Sequence, residues 1–171
     1  MNAIHYQYYQ SPFGELILGS FEGKLCLCDW RYRKARRAID SRLQKGLKAR
    51  LVEKDCPVLT TTKKQLNEYF NQQRKTFELP TITVGTDFQK SVWQALVDVP
   101  FGNTSTYLKL AETIENKTAI RAVANANGAN ALSIIIPCHR IIGSNGNMVG
   151  YAGGLPAKAK LLSLENDLFA L

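Results

Sequence analysis

Histidine is scarce in this sequence, which contains only His5 and His139. The four cysteines, at positions 26, 28, 56 and 138, show none of the paired spacing that zinc sites use. We therefore expect no structural metal. Cys26 and Cys28 alternate with leucines on a predicted strand and are interpreted as packing or surface thiols. In a reducing compartment all four cysteines would be free.

Long apolar runs are also missing. No stretch approaches the roughly 18 residues that a membrane-spanning helix needs, and the first six residues have neither the basic region nor the apolar core of a signal peptide. We therefore expect no membrane partner, and we expect a cytoplasmic location. A hydrophobic content of 45% with 21% charged residues excludes disorder, and 171 residues suit one large or two small domains.

Acidic residues are in short supply, which leaves a formal charge of +8. Residues 1–84 carry 15 Lys and Arg against 8 Asp and Glu, whereas residues 85–171 carry 7 against 6. Nine of the basic residues lie between positions 31 and 50, on a predicted helix whose apolar stripe is Ala35, Ile39, Leu43 and Leu47. A solvated helix face and a track for phosphate groups both fit this pattern.

The N-terminal half has the pattern of a small α/β scaffold. Residues 4–9, 15–20 and 24–30 read as three short strands in an antiparallel meander. The basic helix follows, and then a short helix after the start signal at residues 60–62. Low charge and breakers at residues 79–85 predict a boundary between a domain at 1–84 and a second at 85–171.

The C-terminal half is predicted to be mainly helical. Thr86 and Gln89 form a capping box that opens a helix with apolar residues at every fourth position. A second helix is predicted from Tyr107 to Ile114, and Thr118 is expected to cap a third that ends near Gly128. Two short helices across a tight turn indicate a helix-turn-helix, although helical hairpins of this kind are also common as cores.

Residues 134–142 are the chemically distinctive stretch. Three isoleucines predict a buried strand, and Pro137 ends its hydrogen bonding. Cys138 is therefore predicted at a rigid corner. His139 and Arg140 beside it favour an activated thiol, because a base or a cation stabilises the nucleophilic thiolate. An inert, buried cysteine fits the same spacing.

Beyond these patterns, the sequence resembles the O6-alkylguanine-DNA alkyltransferases over about residues 85 to 166. The central match is the family signature Pro-Cys-His-Arg at residues 137–140. Further matching positions fall in family order: Phe88, Gln89, Val92, Trp93, Pro100, Gly102, Tyr107, residues 121–123, Asn130, residues 151–154, Leu161, Leu162 and Glu165. Four positions depart from the usual pattern, namely Ala124, Ala131, Leu164 and Asn166, and Ala152 lacks a hydroxyl group that could donate to O6.

The resemblance implies an α+β fold, in which a three-stranded antiparallel sheet with helices, of the ribonuclease H-like kind, precedes a mainly helical winged helix-turn-helix domain. It also implies direct-reversal repair, in which the alkyl group of O6-alkylguanine, or of O4-alkylthymine, moves from double-stranded DNA to Cys138 in a single turnover. No cofactor is needed for such a transfer. A monomer is expected, and cooperative binding along DNA stays open.

The same resemblance assigns the catalytic roles. Cys138 is the acceptor, His139 takes its proton through a water molecule, and Glu165 orients the histidine. Tyr107 crowds the target phosphate and hydrogen-bonds the guanine. Asn130 is the hinge between a helix and the active-site segment.

The third helix is implied to lie in the minor groove, where its small residues read little sequence. Arg121 would fill the gap left by the flipped nucleotide. The implied DNA-binding residues also include Ala122, Ala124, Ala126, Asn127, Gly128 and Tyr107. The implied pocket consists of Met148, Tyr151, Ala152 and Gly153.

Two other classes of protein remain possible on the sequence. A DNA-binding sensor would flip alkylated guanine without removing the alkyl group, and retention of Cys138 argues against it. A cysteine hydrolase would use Cys138 and His139, but the only further polar partner is Glu165 and no oxyanion-hole motif is visible.

Overall fold

The computed structural model describes residues 2–166, and its contacts divide the chain into two compact units, Met1–Gly85 and Thr86–Leu171. The first unit is built on a mainly antiparallel sheet and the second is mainly helical. The predicted α+β class is therefore confirmed. No helix within residues 2–166 is long and apolar enough to cross a membrane.

The three predicted strands of the first unit are present as an antiparallel meander. They are β1 (Asn2–Ser11), β2 (Gly14–Phe21) and β3 (Lys24–Trp30). The turn from β2 to β3 consists of Glu22 and Gly23, both at positive φ, as the right-handed twist of a two-residue hairpin requires. Cys26 and Cys28 are both buried, so these thiols are core residues, and burial raises the pKa of Cys26 to about 12.

A fourth strand corrects the prediction of three. After helix α1 (Arg36–Leu47), Lys48 adopts a left-handed conformation and the chain enters β4 (Ala49–Glu53), which pairs in parallel with β1. The sheet order is β3-β2-β1-β4. The strand was missed because charged and exposed side chains, which protect an edge strand from further pairing, conceal its alternation.

Helix α2 (Pro57–Phe70) begins three residues before the predicted start. Pro57 occupies the first turn, where its missing N–H costs nothing. The hydroxyl groups of Thr60, Thr61 and Thr62 donate to carbonyls four residues earlier, so this run lies inside the helix. Residues that favour helix starts can thus bond within the helix instead.

In the second unit, α3 (Asp87–Val97) opens with the predicted capping box between Thr86 and Gln89. A helix-turn-helix follows, formed by α4 (Tyr107–Thr113) and α5 (Ile120–Gly128). Thr106 caps α4. Ala119, not Thr118 as predicted, is the N-cap of α5, and it provides no side-chain hydrogen bond.

The predicted strand of three isoleucines is wrong. Residues 134 and 135 form a turn, with Ile134 buried at a φ of 73°. Strand pairing resumes only after it, where β6 (Ile141–Ile142) lies parallel to β5 (Ser105–Thr106). The last described helix is α6 (Leu155–Glu165).

Candidate active site

Cys138 lies at the start of a short 3₁₀ helix, Cys138–Arg140, and is only 3% exposed. The Cys138 N–H donates to the carbonyl of Ile136 at 2.8 Å, and the Arg140 N–H donates to that of Pro137 at 3.0 Å. The backbone is therefore tightly wound at Cys138. The predicted rigid corner is present, but a 3₁₀ turn forms it.

Asn130 holds the turn that precedes this helix. Its side-chain amide donates to the carbonyl of Ile136 at 2.9 Å, and its side-chain oxygen accepts from the N–H of Leu132 at 2.9 Å. A buried side chain with one donor and one acceptor end thus joins both arms of the turn. This arrangement fixes the position of the backbone at Cys138.

Glu165 is the last residue of α6, and its carboxylate is the centre of a buried polar cluster. Oε2 is 2.7 Å from Nε2 of His139. Oε1 accepts from Nε of Arg140 at 2.8 Å, and Oε2 accepts from Nη2 of Arg140 at 3.0 Å. Burial alone would raise the pKa of Glu165, but the hydrogen bonds and charges of His139 and Arg140 outweigh it and lower that pKa to about 2.

This lowered pKa predicts an acid-sensitive contribution to stability. Because the folded pKa of Glu165 lies below its ordinary value of 4.5, the contribution is complete above about pH 4.5 and is lost as the pH falls towards 2. We expect the difference in free energy of unfolding between wild type and Glu165→Gln to shrink over that window. Urea titrations at several pH values measure it, and a difference independent of pH would contradict the prediction.

His139 is fully buried and has one free ring nitrogen. Burial lowers its pKa, the charges of Arg140 and Lys158 add to that shift, and the hydrogen bond and charge of Glu165 oppose it. The imidazole is therefore neutral near pH 7, and the carboxylate at Nε2 selects the tautomer that carries its proton there. Nδ1 has no hydrogen-bond partner within residues 2–166. It is thus a basic lone pair available to accept a proton.

Tyr107 and the 3₁₀ helix flank the small parallel sheet of β5 and β6. Tyr107 directly follows β5 at one end of this sheet, and Arg140 directly precedes β6 at the other end. Burial raises the pKa of Tyr107, negative charge on Cys138 raises it further, and a hydrogen bond with Asn127 opposes the shift. The phenol consequently keeps its proton at neutral pH.

Lys158 is a buried residue of this site that the sequence analysis did not single out. Its ammonium group is 0% exposed and donates to the carbonyls of Ile141 at 2.5 Å, Val149 at 2.9 Å and Gly150 at 3.3 Å. Burial lowers its pKa to about 8, against the attraction of negative charge on Cys138. Lys158 lies on the buried face of α6, because positions 158, 161, 162 and 165 follow helical spacing. This spacing is the sequence signal that could have identified it.

The Lys158 hydrogen bonds anchor the loop between β6 and α6, where the predicted pocket residues lie. Met148, Tyr151, Ala152 and Gly153 are all half-buried. The ring of Tyr151 meets that of His139 edge-on, with centroids 6.4 Å apart. The loop is therefore tied to the helix that carries Glu165.

We predict that Lys158→Met releases this loop. Loss of three hydrogen bonds should speed amide hydrogen exchange in residues 143–154 and slow any reaction at Cys138 by roughly tenfold or more, because reacting groups would be misplaced. Exchange mass spectrometry gives the first readout and single-turnover kinetics the second. The exposed neighbour Lys160→Met is the control, and equal exchange in the two variants would contradict the assignment.

Helix α5 exposes part of the surface predicted to meet DNA. Four of the predicted residues are exposed or half-buried: Arg121, Ala122, Ala124 and Gly128. Asn125, which the sequence analysis passed over, is also exposed, and its spacing of four from Arg121 was the signal for it. A Cβ atom added to Gly128 would lie in open space, with no atom beyond its chain neighbours and the helix backbone within 4 Å. This face is open to a close approach.

Two other predicted residues of α5 lie on its inner side. Ala126 and Asn127 are buried, and the carbonyl of Ala126 accepts from the indole N–H of Trp93 at 2.8 Å. The hydrogen bond of Asn127 with Tyr107 connects α5 to the active-site cluster. Their side chains belong to the core of the unit, and the prediction that they bind DNA stays a prediction.

Within residues 2–166, no group of three or more His, Cys, Asp or Glu side chains is arranged to hold a metal ion. The candidate site consists of a thiol, an imidazole, a carboxylate and two buried cations, all in the second unit. The fold and this site together describe a protein with a helix-turn-helix and, in the same unit, a buried cysteine next to a histidine that contacts a carboxylate.

Family models agree with both units. Residues 4–83 match the ribonuclease-like domain of 6-O-methylguanine DNA methyltransferase, and residues 87–167 match its DNA binding domain. The chain belongs to this family.

Individual relatives cover nearly the whole chain. The methylated-DNA--protein-cysteine methyltransferase of Methanosarcina barkeri is 39% identical over 96% of this chain and 98% of its own. The constitutive enzyme of that name from Bacillus subtilis is 38% identical, with 94% of each chain covered. The crystal structure of Mycobacterium tuberculosis OGT in complex with DNA matches with a TM-score of 0.83, 36% identity, and coverage of 95% of this chain and 93% of that one.

Proposed function

We propose that this protein repairs DNA by direct reversal, transferring the alkyl group of O6-alkylguanine to Cys138. The observation that carries the proposal is a buried contact of 2.7 Å between Nε2 of His139 and Oε2 of Glu165. His139 is the residue next to Cys138. The contact leaves Nδ1 of a neutral imidazole as a base. The assigned chemistry needs one base, one soft nucleophile and one proton donor, and all three are present.

In the proposed reaction, His139 takes the proton of Cys138 through a water molecule, and the thiolate attacks the alkyl carbon in line with its bond to O6. The sulfur–carbon bond forms as the carbon–oxygen bond breaks, and the electron pair of that bond passes to the guanine. Tyr107, which keeps its proton at neutral pH until this step, donates that proton to the departing guanine, so that guanine leaves in its neutral form. The positive charge of Lys158 favours negative charge on the thiol before transfer.

The product explains a single turnover. A thioether has no good leaving group, so the alkyl group stays on Cys138 and the protein is consumed. We place the protein as a monomer in the cytoplasm, where a free thiol stays reduced.

Counting alkyl groups against protein molecules tests this proposal. With radiolabelled O6-methylguanine duplex in excess, transfer should stop at one methyl group per protein molecule. A yield that keeps rising beyond one would identify a turnover enzyme and overturn the proposal.

A stacked base cannot reach Cys138, so the nucleotide must leave the duplex. Arg121, exposed on α5, is proposed to occupy the vacated stack. We predict that Arg121→Ala slows the saturating single-turnover rate on duplex DNA by about tenfold for each 1.4 kcal/mol of lost compensation. Reaction with the free O6-alkylguanine base, which needs no flipping, should stay close to wild type.

The alternative for Arg121 is a single phosphate contact. Its loss would weaken binding and reduce the salt slope by about one, but excess protein would mask that effect. A saturating rate on duplex DNA equal to that of wild type would therefore rule out the stacking role.

A further inference from the structure

The basic helix α1 takes no part in the chemistry described above. Residues 31–50 contain nine basic residues and one acidic residue, Asp40. Three of the nine form salt bridges of 2.8–3.1 Å with nearby carboxylates, as the pairs Arg31–Glu15, Arg33–Asp29 and Arg36–Asp29. Arg36 also holds Asp40 at 2.8 Å. The acidic groups around the helix are therefore already engaged.

Four further exposed cations lie on α1 or directly beside its two ends. They are Lys34, Arg37, Lys45 and Lys48, here called the α1 stripe. Arg37 and Lys45 lie in the first and last turns of the helix, Lys34 precedes its first residue by two positions, and Lys48 is its C-cap. At 1.5 Å per residue the stripe is about 20 Å long. No salt bridge within residues 2–166 engages any of the four.

One of these charges is placed where it opposes helix formation. The first turn of α1 has no acidic residue, and Ala35 at the N-cap makes no side-chain hydrogen bond. Arg37 in that turn meets the positive end of the helix dipole, which is unfavourable, whereas Lys45 in the last turn meets the negative end. A helix face that served solubility alone would mix both signs of charge. A row of exposed cations of one sign favours a polyanionic partner.

We infer that the α1 stripe is a second contact surface for DNA, which binds the phosphate backbone of a duplex. The inference rests on the proposed function, because that function makes DNA the partner. A stripe of about 20 Å spans roughly six base pairs at 3.4 Å each, and point charges on flexible side chains bind phosphates without reading bases. Such a surface suits a repair protein that must work in any sequence.

A matched pair of charge variants tests the inference. One combines Lys34→Gln, Arg37→Gln, Lys45→Gln and Lys48→Gln. The other removes the same charge elsewhere in the first unit, by Lys24→Gln, Lys54→Gln, Lys63→Gln and Lys64→Gln. Affinity for an undamaged duplex is measured from low to high salt. We expect the slope of log K against log salt to fall by about 0.9 for each phosphate that the stripe variant no longer neutralises, and to stay near wild type in the control.

Two further measurements separate the possible outcomes. Thermal unfolding should show the stripe variant to be nearly as stable as wild type, since all four side chains are exposed. Equal slopes for the two variants would overturn the inference and point to an acidic protein as the partner. If the two slopes are equal and wild type still transfers the alkyl group, only this inference is overturned. If the two slopes differ and wild type does not transfer the alkyl group, only the proposed repair chemistry is overturned.

Discussion

Cys138→Ser should abolish alkyl transfer while leaving the affinity for DNA within about twofold of wild type, because serine keeps the size of cysteine but its hydroxyl is far less acidic and less nucleophilic. Cys138 is 3% exposed, so a substitution of nearly equal volume should leave the packing around the 3₁₀ helix intact. Single-turnover transfer and a binding titration on the same duplex give the two numbers.

The half-buried Cys56 offers a control for this experiment. It lies in the first unit, where its sulfur is 2.9 Å from the hydroxyl oxygen of Ser20, and it has no place in the proposed reaction. Cys56→Ser should transfer at the wild-type rate. Transfer that survived in Cys138→Ser, or disappeared in Cys56→Ser, would place the acceptor elsewhere.

Glu165→Gln should slow transfer by on the order of tenfold to a hundredfold, because a neutral amide stabilises a protonated His139 much less than a carboxylate does. The structure adds a second effect. Glu165 also neutralises the buried guanidinium of Arg140, so the change should cost about 3 kcal/mol of folding free energy. The rate must therefore be measured well below the unfolding temperature of the variant.

Arg140→Met separates these two effects. It breaks the same buried ion pair but leaves the 2.7 Å contact between His139 and Glu165 in place. We expect a similar loss of stability with a much smaller loss of rate. If both variants slowed transfer equally, the role of Glu165 would be general support of the fold and not orientation of the histidine.

Features set by neighbouring residues could be predicted from the sequence. The capping box of Thr86 and Gln89 depends on four consecutive residues, and α3 begins where it was expected. The meander of β1, β2 and β3 depends on short turns between alternating strands. Glu165 came from the resemblance, since a carboxylate at a helix end is ordinarily a surface group.

Features set by contacts between distant residues could not be predicted from the sequence. The isoleucines at 134–136 look like a strand because β-branched residues favour strands, but the two hydrogen bonds of Asn130 bend them into a turn. Lys158 looks like a surface lysine on an amphipathic helix, but carbonyls of β6 and of the loop after it, eight or more residues away, stabilise its burial. The pair of Arg140 with Glu165 joins residues 25 positions apart.

Intact-protein and peptide mass spectrometry after incubation with a duplex containing O6-methylguanine tests the central claim most directly. The account predicts that wild type gains the mass of one methylene group, that the gain maps to the peptide containing Cys138, and that Cys138→Ser gains nothing. A protein that bound the damaged duplex without any gain in mass, or that carried the methyl group on Cys26, Cys28 or Cys56, would contradict it.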